Sequence, residues 1–216
     1  MIVITRPNHD STTDYLYFWS EEIIKEANKR LQKIVDLSKG RSNTKEFASV
    51  VKKIRPSLIV FNGHGNASRI TGHNNEPLVI ADKNEHLLNK TIVYARACKA
   101  ALKLGKDAIK SGCYAFVGYK DDFVFIVDTN YTTRPLQDKT AKLFLEPSNH
   151  VALSIIKGHS SSEANNRSKR LFKKNIQRLM TSAASKEQSD LIPYLVWDYT
   201  NQVCLGDSQA CLSKDK

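Results

Sequence analysis

TIVYARACKAA, residues 91–101, passes from an apolar strand (Ile92, Val93, Tyr94) through a small residue, Ala97, to Cys98, and on into a segment with helical spacing. A cysteine where a strand gives way to a helix sits at the mouth of an α/β sheet. Backbone N–H groups converge there, and a helix dipole beginning at that point favours a thiolate. LIVFNGHG, residues 58–65, is built the same way and ends in His64 between Gly63 and Gly65. Two such strands side by side bring Cys98 and His64 together as nucleophile and base. Taken singly, each has a plainer reading, a buried cysteine and an exposed loop histidine. The pairing is what carries chemistry.

The surrounding chain fits a sheet wrapped by helices. Residues 2–5 read as a strand closed by Arg6-Pro7, and Ser11, Thr12 and Thr13 offer N-caps for an amphipathic helix over 13–31, with Leu16, Trp19, Ile23, Ala27 and Leu31 on one face. A weaker strand follows over 33–37. Asn43 with Glu46 resembles a capping box for a helix that Pro56 stops. The alternation of strand and helix predicts α/β class, a three-layer α/β/α sandwich on a mostly parallel sheet, in a single domain over 1–216. Ligands of such sheets bind beyond the carboxyl ends of the strands, where His64 and Cys98 lie.

Further along, residues 66–82 read as a loop with a small hairpin, 85–88 as a short helix and 113–119 as a strand extended by 123–127. Two helices over 136–145 and 150–157 are split by Pro147. Ser160 and Glu163 open a long helix to about Ala184, residues 191–199 supply a last strand that 202–205 pairs with, and 208–216 form a frayed tail.

Lys and Arg total 33 against 22 Asp and Glu, a net charge of +11. Arg167, Arg170, Lys174 and Arg178 form a basic stripe on the late helix, read first as a solvated face and second as a nucleic-acid surface. No stretch approaches the roughly 20 apolar residues of a membrane span, so no membrane partner is expected. The opening MIVITRPNHD has no basic lead before a long apolar run, so no secretory leader is expected. Four cysteines (98, 113, 204, 211) lack C-x-x-C spacing, which favours free thiols in a reducing, cytoplasmic setting. His9, His73, His86, His150 and His159 show no metal-ligand spacing and FNGHGN lacks the ending of a phosphate loop, so neither metal nor cofactor is expected.

Peptide hydrolysis by a thiol needs a nucleophile, a group that handles the proton of the leaving amine, and N–H donors for the oxyanion. Cys98 and His64 supply the first two, and the Gly65 and Cys98 N–H groups the third. In this order and context the residues resemble the caspase-like cysteine peptidases of clan CD. That family places its histidine after an apolar strand ending in His-Gly (LIVFNGHG) and its cysteine after one ending in Ala-Cys (TIVYARAC), 98 − 64 = 34 residues apart here. CYAFVGY, GHSSSEA (158–164) and LVWDYTNQVCL are similar to segments of the bacterial CHAT-type branch.

The resemblance implies a caspase-like fold and an endopeptidase acting on a protein substrate. It also implies control by a separate activator or regulatory protein, in settings such as bacterial defence. Lys99 departs from the small or acidic residue many relatives carry after the cysteine.

In the family the residue two before the cysteine lines the primary specificity pocket, here Arg96, with Asp121 and Asp122 at the end of the next strand. Arg96 favours an acidic or polar substrate side chain. Facing an aspartate, it makes a zwitterionic wall suited to an amide. Turned away, it leaves the aspartates to select Lys or Arg, and it can also simply pair with one of them. The rival functions are an inactive scaffold of the same fold and a nucleic-acid binder using the helix over 160–184.

Overall fold

Apolar runs buried on both faces form the centre of the molecule. The computed structural model describes residues 1–212, in which the chain runs β1 (Ile2–Arg6), α1 (Ser11–Trp19), α2 (Glu21–Lys29), β2 (Ile34–Ser38), α3 (Thr44–Ile54) and β3 (Leu58–Asn62). A small antiparallel sheet follows, β4 (Gly65–Asn66), β5 (Arg69–Thr71) and β6 (Pro77–Ile80), then β7 (Ile92–Arg96), α4 (Leu104–Lys110) and β8 (Ala115–Tyr119). The chain ends in α5 (Lys139–Ile156), α6 (Ser161–Leu179), α7 (Lys186–Ser189), α8 (Ile192–Asn201) and β9 (Gln202–Gly206). The main sheet has the order β2-β1-β3-β7-β8-β9, parallel throughout except for β9.

Alternation along each strand sorts the core into two layers. Val3, Ile59, Phe61, Val93, Ala95 and Phe116 face one side, against Phe47 and Val51 of α3 and Leu104 and Ala108 of α4. Ile2, Ile4, Leu58, Val60, Tyr94 and Val117 face the other, against Ile23 of α2, Val151 and Ile155 of α5 and Ala164 of α6. The α/β class and mostly parallel sheet are as expected, with helices on both faces. Among the described residues no helix is long and apolar enough to cross a membrane.

Several elements differ from the sequence expectation. The helix expected over 13–31 is two helices meeting at Ser20, which is fully buried and donates its hydroxyl to Tyr17 O (2.9 Å). Its N-cap is Asp10, whose Oδ1 accepts from Thr13 N (2.8 Å). Pro147 does not split α5. A proline removes the N–H that would bond four residues back, and the freed Leu143 carbonyl accepts instead from Asn175 Nδ2 of α6 (2.8 Å).

Residues 191–199 are not a strand but lead into and form most of α8, whose buried face is Leu195, Asp198 and Asn201. Residues 123–127 form no strand either. The tail is ordered through Leu212, with Ala210 and Leu212 buried against the core and Ala210 O accepting from Ser161 N (2.8 Å). The rest of that tail, 213–216, lies outside the described residues.

Candidate active site

Strand order decides where a site can form. From β1 the chain moves to β2 on one side and then returns to β3 on the other, so the order reverses between β1 and β3, and a crevice opens beyond their carboxyl ends. β1 runs out through Arg6 toward His9 and Asp10, and β3 through Asn62 toward His64.

β3 and β7 are adjacent and parallel, with Asn62 paired to Arg96, an offset of 34 residues (96 − 62). The same offset of 34 residues relates His64 to Cys98 along the chain; the His64 ring is engaged with Asp10 and His9, beyond β1, and Cys98 Sγ with Phe123 O, beyond β8. The ladder persists past the strands, for Gly63 N donates to Arg96 O (3.3 Å). Gly63 has φ +149, a left-handed value, and a Cβ there would stand 2.6 Å from Thr71 O, so only glycine fits. A Cβ on Gly65 would stand 3.0 Å from Ala97 Cβ and 3.3 Å from Cys98 O, so the residue after His64 packs directly on the cysteine's backbone.

His64 is held from two sides. Its carbonyl accepts from Thr71 N (2.9 Å) and Thr71 Oγ1 (3.2 Å). Its Nε2 lies 2.6 Å from Asp10 Oδ2. Asp10 therefore divides its carboxylate, one oxygen capping α1 and the other on the histidine. Burial alone would raise this carboxyl, but the Thr13 N–H, His64 and the Thr13 hydroxyl outweigh it and hold it down at about 2. The sequence reading missed Asp10. Its signal was an N-cap residue just beyond β1, obscured by the three hydroxyl residues that follow it.

Cys98 is half-buried and sits in turns, not at a helix start. α4 begins only at Leu104, so no helix dipole bears on the thiol. Burial pushes the Cys98 thiol up from its ordinary value, and the Asp122 carboxylate adds to the rise. The resting group is a thiol that needs a base. Its Sγ lies 3.9 Å from Phe123 O. Among the described residues the Cys98 N–H has no protein acceptor and remains available to an oxyanion.

Lys99 takes a left-handed φ of 57, turning the chain sharply after the cysteine. Its N–H donates to Asp121 O (3.0 Å), and its ammonium lies 3.6 Å from Asp121 and 3.2 Å from Asp122. The aspartates thus stand beside Cys98 with a lysine between them.

Arg96 is elsewhere. It is fully buried and lines no surface pocket, which corrects the expectation from sequence. Nor does it pair with either aspartate. Nε donates to Asn62 Oδ1 (2.8 Å), and Nη1 to Asn149 Oδ1 (2.7 Å) and Ser148 Oγ (3.4 Å). Asn62 donates on to Thr5 O (2.7 Å), and Asn149 to Trp19 O (2.8 Å) and Glu22 (3.1 Å). Arg96 is the hub of a polar network that ties β1, β3 and β7 to α5 beneath the site.

α8 supplies a further support that the sequence reading missed. Trp197 Nε1 donates to Asp122 O (2.9 Å), and buried Asp198 accepts from Val124 N (3.0 Å), fixing the segment whose Phe123 carbonyl faces the thiol. Burial pushes the Asp198 carboxyl well above its ordinary range. A groove of about 280 Å³ lies between Ser11, Thr12 and Tyr15 of α1 and Phe123, Val124, Phe125 and Val127, and neither Cys98 nor His64 lines it.

On the basic stripe, Arg167 and Arg170 both turn to Glu163 (3.0 and 2.7 Å), which offsets part of its charge. The thiol, the imidazole braced by a carboxylate and the free N–H all lie beyond the carboxyl ends of β3 and β7. A scan against protein-family models and a search of curated proteins returned no match to this chain.

Proposed function

We propose that this chain is a cysteine endopeptidase of caspase-like fold, related in pattern to the CHAT-type branch. The observation that supports the reading is the β3–β7 register, in which His64 and Cys98 each lie two residues beyond the paired Asn62 and Arg96, with Asp10 on His64 Nε2. Asp10 takes Nε2, so Nδ1 is the nitrogen left to exchange a proton with the reacting groups.

In this reading Cys98 Sγ attacks the scissile carbonyl and its proton passes to His64. The carbonyl oxygen becomes an oxyanion, met by the Cys98 and Gly65 N–H groups. Collapse to a thioester expels the amine, which takes the proton from His64. Water, giving its proton back to His64, then hydrolyses the thioester and regenerates the thiol. Asp10 is a positioning residue that fixes the tautomer and plane of the ring. The groove between α1 and Phe123 to Val127 receives the substrate chain. With Arg96 withdrawn into the core, Asp121 and Asp122 outweigh the single Lys99 and favour a basic substrate side chain.

A peptide-library cleavage profile of the wild type beside Cys98→Ala tests this. The substitution lowers cleavage by about 10⁴-fold or more with the fold retained. Cleavage that survives it, or a wild type silent toward every peptide, overturns the assignment, the second outcome pointing to an inactive scaffold.

A further inference from the structure

The crevice between β1 and β3 holds more nitrogen and oxygen ligands than a cysteine–histidine pair uses. Asp10 Oδ2 lies 2.6 Å from His64 Nε2 and 3.5 Å from His9 Nε2. The His9 side chain is 10% exposed, and neither ring nitrogen has a hydrogen-bond partner. A buried imidazole with both nitrogens unpaired is a costly arrangement, and buried polar groups without partners are rare in folded proteins. The ring is wedged edge-on between His64 and His73, at centroid distances of 6.0 and 5.3 Å. His73 Nδ1 accepts from Asn8 N (3.4 Å).

We propose that His9, Asp10 and His64 form a binding site for a divalent transition cation of the zinc class, with the two Nε2 atoms and Asp10 Oδ2 as ligands. One ligand atom from each of the three residues lies within 4.8 Å of the others. A tetrahedral zinc with bonds of about 2.0–2.1 Å holds its ligands about 3.3 Å apart. The His9–Asp10 separation already has that value within a few tenths of an ångström. His64 and Asp10 need only open from hydrogen-bond distance by less than about 1 Å.

Asp10 Oδ2 is free for this role because Oδ1 serves the helix cap. Two imidazoles and one carboxylate suit zinc, cobalt or nickel better than magnesium or calcium, and three protein ligands leave a fourth position for water. Cys113 takes no part, since it lies at the opposite end of the sheet with its thiol on Thr91 O and Ala115 O.

A neutral imidazole has one lone pair. A metal on Nε2 takes it and leaves His64 without basicity at Nδ1. Occupancy therefore switches the candidate base off. This consequence rests on the peptidase reading, whereas the site itself rests on geometry alone.

Calorimetric titration of the chelator-stripped full chain with zinc tests the site. Cobalt absorbance gives a second readout. One zinc binds per chain, and His9→Asn and Asp10→Asn each weaken it by about tenfold or more. Asparagine keeps the N-cap of α1, so Asp10→Asn separates ligation from folding. The cobalt spectrum shows no thiolate charge-transfer band. Failure of the wild type to bind, undiminished affinity in both variants, or a thiolate band overturns the site. Where cleavage is measurable, zinc inhibits the wild type and not His9→Asn, and cleavage insensitive to saturating zinc overturns the switch. A chain that cleaves nothing counts against the peptidase reading, and the titration still decides the metal site.

Discussion

Cys98 and Cys113 lie at opposite ends of neighbouring strands, one just past the carboxyl end of β7 and the other just before β8. Burial pushes both thiols upward, Cys113 to about 12. Beyond that they part. The Cys113 thiol sits in the core within 3.3 Å of Thr91 O and 3.4 Å of Ala115 O, flanked by an apolar corner that includes Leu88. Cys98 is half-exposed, with a single long contact to Phe123 O. Its edge of the sheet also collects Asp10, His64, Asn62 and Arg96. The difference lies in the edge and not in the residue. One end of the strands closes the core, and the other is floored with buried polar groups, Asn62 and Arg96 among them.

Alkylation of the native protein gives the widest separation. Cys98 reacts about 10³-fold or more faster than Cys113, whose reaction waits on local opening. Exposed Cys211 provides the upper reference. Because its folded-state thiol is raised, Cys98 gains thiolate only at pH above the ordinary thiol range, and its rate climbs there. Peptide mass mapping over a pH series reads both, and equal rates for Cys98 and Cys113 would remove the contrast.

Next in size is the floor itself. Arg96→Ala leaves Asn62 and Asn149 without their donor and opens a cavity, costing about 3–5 kcal/mol in urea denaturation. Cys113→Ala at the other edge costs about 1–2 kcal/mol. Comparable losses would mean the polar floor carries no special weight.

The smallest effect sharpens the same point from a distance. Asn175→Ala strips the donor from Leu143 O in the turn of α5 that carries Ser148 and Asn149 to Arg96. A loss of about 1 kcal/mol is expected, and a neutral substitution would show that the proline-freed carbonyl needs no protein partner.

How much of this could be read from sequence follows from what each element depends on. The strands were legible because they are unbroken apolar runs, and so were the positions of His64 and Cys98 just beyond two of them. α8 was not, since LIPYLVWDY is apolar but for Asp198, while its buried helical face is Leu195, Asp198 and Asn201, two of them polar residues that apolar periodicity does not register. The continuity of α5 depends on an amide 28 residues beyond Pro147 (175 − 147). The helix expected directly after Cys98 is delayed by the left-handed turn at Lys99, although Ala101, Leu104 and Ala108 keep their spacing across it. Asp10 reaches His64 only because β1 and β3 are neighbours, and strand order is not written in any local pattern. Arg96 stands in the expected place on β7, and its inward turn follows from partners on α5 that lie 52 and 53 residues away.

The β3–β7 register also bears on how such a chain tolerates change in length. His64 and Cys98 are each two residues past a paired position, Asn62 and Arg96, so the ladder and not the intervening segment fixes where each leaves the sheet. The turn at 82–84 and the short helical turn Glu85–Leu88 link β6 back to the start of β7, away from the site. Doubling the length of a flexible connection there costs only about 0.6 kcal/mol in loop entropy. Insertions at that point can accumulate, or a whole module be accepted, while His64 and Cys98 keep their places beyond the strand ends.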